Sequence, residues 1–151
     1  MLRARLNRLQ ARSVGPLVRA LTRRHAALYL RFGGRRFGTY YRKPVLVLST
    51  TGRRSGQQRA TPVVYMPDGD RWLVAPTNSG LDRAPAWWLN LQARPEAEVQ
   101  IGEQRYPVRA RVAEGDERSR LWASMSAYNH EWADYTRLTR REIPIIVFER
   151  R

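Results

Sequence analysis

Cysteine is absent from this 151-residue chain, which removes disulfides, thiolate nucleophiles, iron–sulfur clusters and cysteine-ligated zinc together. Histidine is nearly absent: His25 and His130 are the only two, and neither has a second histidine at metal-ligand spacing such as His-x-x-x-His, so no metal site is expected. Acidic residues are missing from the first 67 positions, which hold 15 cations; the first acid is Asp68. Lysine is reduced to Lys43, against 27 arginines, a bias that by itself says little about contacts. No apolar run approaches the roughly 20 residues that span a bilayer, and the arginine-laden start lacks the apolar core of a signal peptide. A cytoplasmic protein is the expectation.

What is present divides in two. The length suits one domain with a core, and no repeat or low-complexity linker divides it. Net charge is +15, yet residues 68–151 balance at 13 of each sign, so the excess lies upstream. Twelve early cations fall in residues 1–43 and three in a glycine-bracketed turn, Gly52-Arg53-Arg54-Ser55-Gly56 with Arg59. Arm and turn are separate electrostatic objects. The expected division is a basic helical extension over 1–43 and a folded domain over 44–151.

In the arm, Leu2, Leu6 and Leu9, then Leu17, Leu21 and Leu28, recur at helical spacing with arginines on the remaining faces. Gly15-Pro16 and Gly33-Gly34 punctuate them, so helices are expected near 2–13 and 16–32. Such helices suit an anionic membrane surface, where each basic residue contributes about 1 kcal/mol, which would place residues 1–32 at the inner face of a membrane. The alternative is that the leucines pack on the domain and the arginines are solvated. Nucleic acid is the other partner such charge suggests, but no zinc finger, RNA-binding strand motif or helix-turn-helix is present, so no specific nucleic acid is expected.

The turn lies between two apolar runs, Pro44–Leu48 and Ala60–Met66, that read as strands. Gly52 and Gly56 permit positive φ, allowing backbone N–H groups to converge on an anion that Arg53, Arg54, Ser55 and Arg59 would clamp. An ordinary hairpin tip uses the same residue types. Asp68-Gly69 marks a turn into a strand over 71–76, Pro85 and Pro95 bound a short helix around Ala86–Leu91, and Glu98–Ile101 with Gln104–Val112 forms a hairpin around Gly102. A helix over 116–128 and a strand over 143–148 close the chain. The pattern is α+β: a small six-stranded antiparallel barrel in meandering order with flanking helices, not a parallel sheet, because crossover helices are missing. Trp87 and Trp88 project about 100° apart, so one of them is expected at an interface or ligand.

These pieces, taken in order, carry a resemblance: Thr50-Thr51-Gly52-Arg53-Arg54-Ser55-Gly56 with Arg59, Thr61-Pro62, Asp68-Gly69, Pro85-Ala86-Trp87-Trp88-Leu89-Asn90-Leu91, Arg94-Pro95-Glu96 and Arg141-Glu142-Ile143-Pro144. Over about two-thirds of its length the chain resembles the deazaflavin-dependent nitroreductase family, split β-barrel oxidoreductases that use coenzyme F420. The resemblance implies that the turn (Gly52, Arg53, Arg54, Ser55, Gly56, Arg59) holds the coenzyme's phosphate and part of its polyglutamate tail. It implies further that Thr61, Pro62 and Val63 pass along the deazaflavin ring, and that Ala75, Thr77, Asn78 and Trp87 complete the site. A lysine often stands where this chain has Asn78.

The segment Tyr128 to Tyr135 would shape the substrate site, with Tyr128, Trp132 and Tyr135 facing the acceptor and Tyr128, Tyr135 or Thr77 stabilising charge on it. Trp132 falls where the family often has tyrosine, and the segment is one residue longer than usual. The implied reaction is hydride transfer from reduced F420 to a quinone, nitroaromatic or other activated unsaturated acceptor. A flavin mononucleotide enzyme of the same architecture and a non-catalytic cofactor or lipid carrier are the alternatives, since a phosphate clamp alone does not choose among them.

Overall fold

The computed structural model describes Arg5, Leu6, Arg24, Ala26, Tyr29, Thr39, Tyr40 and residues 42–151. Strands are β1 (Thr39–Tyr40), β2 (Lys43–Thr51), β3 (Gln58–Val64), β4 (Met66–Asp68), β5 (Arg71–Val74), β6 (Glu96–Ile101), β7 (Gln104–Val112) and β8 (Ile146–Arg150). Helices are α1 (Ala86–Ala93), α2 (Gly115–Tyr128) and α3 (His130–Thr136), with a 3₁₀ turn at Asn78–Gly80.

All pairings are antiparallel, in the order β1-β2-β6-β7-β8-β5-β4, with β3 joined to β2. Because β3 and β4 are one run of chain interrupted at Tyr65, the ladder returns to the segment it began in, and the sheet curls into a six-stranded split barrel with β1 as a short addition. The expected meander is corrected: β6 takes the second edge of β2, and β8 inserts between β7 and β5. Two strands are shorter than expected. β5 stops before Ala75 and Pro76, and β8 starts at Ile146, beyond Pro144, because proline has no N–H to give a ladder. Helix α3 occupies a segment for which the sequence indicated only aromatics.

Side-chain alternation sorts the core. Leu46 and Leu48 of β2, Trp72 and Val74 of β5, Val99, Val108, Ile146 and Phe148 fill the barrel together with Trp87 and Leu91 of α1. The intervening Leu73 and Val147, with Met66 and Ile145, face Leu121 and Met125 of α2 and Trp132 of α3. Strand β2 is buried on both faces from Val45 to Leu48, as its unbroken apolar run requires. Trp87 is buried, and Trp88, though half-buried, packs on the same barrel core.

Of the expected arm helices, Arg5, Leu6, Arg24, Ala26 and Tyr29 are helical, and the rest of residues 1–32 lies outside the described residues; the end of the arm, Thr39–Tyr40 and Lys43, is strand. Tyr29 is 1% exposed. Its hydroxyl donates to the Val45 carbonyl at 3.0 Å and accepts from the Gly102 N–H at 3.0 Å, and burial raises its pKa. Leu6, by contrast, is 51% exposed.

Candidate functional site

The turn between β2 and β3 is built by its own backbone. Gly52 N–H donates to the Gln57 carbonyl at 2.8 Å and Gly56 N–H to the Gly52 carbonyl at 2.7 Å. Gly56 sits at φ 68°, where glycine carries no strain. Gly52 is needed for space: a Cβ there would meet the Ser55 hydroxyl at 2.8 Å and the Gln57 carbonyl at 3.2 Å. Ser55 Oγ accepts from Gln57 N–H at 3.3 Å.

The turn is tied to the barrel by a residue that the sequence reading passed over. Asn90 of α1, 5% exposed, accepts from Arg53 N–H at 3.1 Å and from its guanidinium at 3.5 Å, and donates to the Thr50 hydroxyl at 3.1 Å. The available signal was an amide inside Trp-Trp-Leu-Asn-Leu, since a buried polar side chain needs partners.

Part of the expected convergence of N–H groups on an anion is taken up within the turn. The N–H groups of Gly52, Arg53, Gly56 and Gln57 are committed internally, leaving the guanidiniums as the charge of the site. Arg53, Arg54 and Arg59 are exposed, and among the described residues none is ion-paired with a carboxylate. Arg59 donates to the Gln57 side chain at 2.9 Å. Three uncompensated arginines on one rigid turn fit a phosphate or carboxylate ligand. An open groove of about 430 Å³ beside the turn, lined by Ser49, Thr51, Gln58, Glu96, Ala97 and Glu98, has its charge compensated, since Glu96 and Glu98 pair with Arg109 and Arg105.

From this turn runs an open edge. Among the described residues β3 pairs only with β2. Pro62, opposite Val47, has no N–H and takes a position where backbone groups point away from the partner strand. Tyr65 N–H donates to Pro44 at 3.2 Å, in phase with that assignment. Thr61 and Val63 therefore turn their backbone groups to β2, while Ala60, Pro62 and Val64 turn theirs to the edge. Of the three residues expected along the ring, only Pro62 offers a backbone group outward.

Tyr128 lies at the far end of β2, beside Lys43, about 26 Å from the turn at a strand's rise per residue. Val64, Ala75 and Tyr128 pack on the cluster that includes Trp132. Trp132 is 3% exposed and its ring lies 6.4 Å from that of Tyr128, so it supports Tyr128 from beneath. Burial raises the Tyr128 pKa, and its hydroxyl has no partner among the described residues. Lys43 Nζ donates to the Tyr128 carbonyl and stands 4.6 Å from its ring centroid.

Tyr135 is buried against Ile143, Ala75 and Leu138, and its hydroxyl donates to Glu131 at 3.2 Å. Thr77 caps the 3₁₀ turn with no side-chain capping bond. Asn78 spends its amide on the Arg83 carbonyl at 2.7 Å, which accounts for an amide where the resemblance suggested a cation. Trp87 lies in the barrel core. The structure thus brings Ala75, Tyr128 and Trp132 together, sets Tyr135 against Ala75 in an adjoining cluster, and places the arginine turn at the opposite end of the strand.

A family model for F420H2-dependent quinone reductases matches residues 21–150. The chain belongs to that family. It is 35% identical over 138 residues to an F420H2-dependent quinone reductase of Mycobacterium tuberculosis, covering 87% of this chain and 91% of that one. It is similar to the solved structure of an F420H2-dependent reductase, with TM-score 0.64 and 30% identity over 70% of this chain and 94% of that chain. A solved domain-swapped dimer is similar at TM-score 0.67 and 28% identity, over 91% of this chain and all of that chain. This membership makes the chain an oxidoreductase and, of the two tricyclic cofactors that a phosphate clamp admits, selects the deazaflavin.

Proposed function

We propose that this member of the family transfers a hydride from reduced F420 to a quinone, with nitroaromatic and other activated unsaturated acceptors as further substrates. The observation that carries the proposal is the run from an uncompensated arginine turn, along the unpaired edge of β3, to Tyr128. Arg53, Arg54 and Arg59 would hold the phosphate and acidic tail. Pro62, flanked by Ala60 and Val64, would lie along the ring; Ala75, Thr77 and Asn78 would border it, and Trp87 would support the site from the core.

When bound, reduced F420 supplies a hydride from C5. The chain positions the reactants and keeps water from them. An acceptor gains negative charge as the hydride arrives, and the Tyr128 hydroxyl, held in place by Lys43 and Trp132, is the donor available to stabilise it. Tyr135, engaged with Glu131, and Thr77 border the same end. The raised Tyr128 pKa keeps that phenol protonated at neutral pH, as a donor must be.

The test is equilibrium binding of F420 and of flavin mononucleotide in parallel, followed by oxidation of reduced F420 with menadione. No F420 binding at micromolar protein would end this reading.

The basic arm gives the acceptor a setting. Exposed Leu6 beside Arg5 on one helical stretch supports contact of the first part of residues 1–43 with an anionic membrane, where quinones partition. No described helix is long and apolar enough to cross a membrane. Because Tyr29 is part of the folded unit, the informative variant is Arg3, Arg5, Arg8 and Arg12 changed to glutamate rather than a deletion through residue 40. Co-sedimentation with anionic vesicles undiminished by those changes would remove the arm as an anchor.

A further inference from the structure

We propose that Arg141 is a positioning residue for the coenzyme, acting through the Pro76–Leu81 segment that carries Thr77 and Asn78; the inference rests on the functional reading above. Its guanidinium spans the segment from one side to the other. Nη2 donates to the Pro76 carbonyl at 2.6 Å and to the Thr77 carbonyl at 2.8 Å, and Nε donates to the Leu81 carbonyl at 3.0 Å. One side chain thereby closes a loop whose interior is conformationally costly. Asn78 at φ 47° and Ser79 at φ 55° both lie in the left-handed region, which side-chain-bearing residues leave unless held.

Neighbouring contacts serve the same end. Gly80, at φ 72°, is seated so closely on the end of α3 and the residues after it that a Cβ would meet Leu138 at 2.9 Å and the Tyr135 carbonyl at 3.3 Å. Asp82 accepts from the Thr139 hydroxyl at 2.9 Å and from Arg140 N–H at 3.0 Å. Burial pushes the Arg141 pKa below the ordinary arginine range, with Asp82 opposing. A desolvated cation spending its donors on three carbonyls is an expense that a loose loop would not require. The return is a segment fixed before any ligand arrives, so binding does not have to order it. Lysine cannot substitute, because a single ammonium does not reach both sides of the loop as a planar fork does.

The test uses the full chain and Arg141→Lys. Without coenzyme, hydrogen exchange is expected to speed up at residues 76–83 while β2 and β8 keep their protection. F420 affinity should fall roughly tenfold or more, with kcat for menadione changed far less than the KM for reduced F420. Adding Ser79→Gly to Arg141→Lys should restore part of the affinity, because glycine holds the left-handed turn without a clamp. Wild-type affinity in Arg141→Lys, or exchange accelerated throughout the barrel, would overturn the assignment. A wild-type chain that binds no F420 overturns the functional reading itself, and the role of Arg141 falls with it.

Discussion

Replacing Asn90 by alanine removes a side chain that joins the arginine turn to the barrel. Two groups lose a partner: the Thr50 hydroxyl, only 1% exposed, and the Arg53 N–H, bonded at 3.1 Å. The turn is at the surface, so water repairs much of the loss at Arg53, whereas Thr50 has no such recourse. An unsatisfied buried group costs about 1–3 kcal/mol, and the small void left beside Thr50 adds to it. A total of about 2–3 kcal/mol corresponds, for a chain of this size, to a fall in Tm of about 5–10 °C.

Calorimetry of Asn90→Ala measures the fall, and F420 titration should show weakened binding because the turn is no longer held. The 3.5 Å contact to the Arg53 side chain is too long to carry much energy. Asn90→Ala should therefore cost nearly as much in an Arg53→Ala background, with coupling below about 0.5 kcal/mol. A Tm within a degree or so of wild type, or a cost abolished by Arg53→Ala, would refute the assignment of Asn90 as a backbone anchor.

Arg54→Ala and Arg59→Ala should each weaken F420 binding by about 1.5–3 kcal/mol if they meet phosphate directly; unchanged affinity in both returns the turn to an ordinary hairpin tip. Gly52→Ala and Gly56→Ala separate space from conformation. The first collides with Ser55 and Gln57 and should cost about 1–3 kcal/mol in denaturant unfolding, while the second enters open space and pays only for its positive φ, about 1–2 kcal/mol. Tyr29→Phe unpairs the Val45 carbonyl and Gly102 N–H and should lower stability by about 1–3 kcal/mol; a silent substitution would detach the arm from the fold.

Glu117, bonded to Arg111 and Arg71, has its pKa lowered from 4.5 to about 2. Its stabilisation is present above 4.5 and is lost as pH falls toward 2. Glu117→Gln should flatten thermal stability across that window, and an unaltered acid limb would contradict the pairing.

Residue order alone determined most of the strands and the helices α1 and α2, though not β1 or α3, together with the placing of the glycine-arginine turn between two strands. Each rests on a local rule: alternation in β2, prolines at the ends of α1, glycines around two arginines. The family too was legible, because its motifs are local runs of residues. What only tertiary structure decided are relations between distant segments. Pairing order is one, since alternation says which face is buried but not which strand lies alongside, so the place of β8 between β7 and β5 was hidden. The fate of polar groups is the other. Asn90, Arg141 and Lys43 each act on backbone groups remote in sequence, from 37 to 85 residues away, and no spacing rule reports a hydrogen bond across a fold.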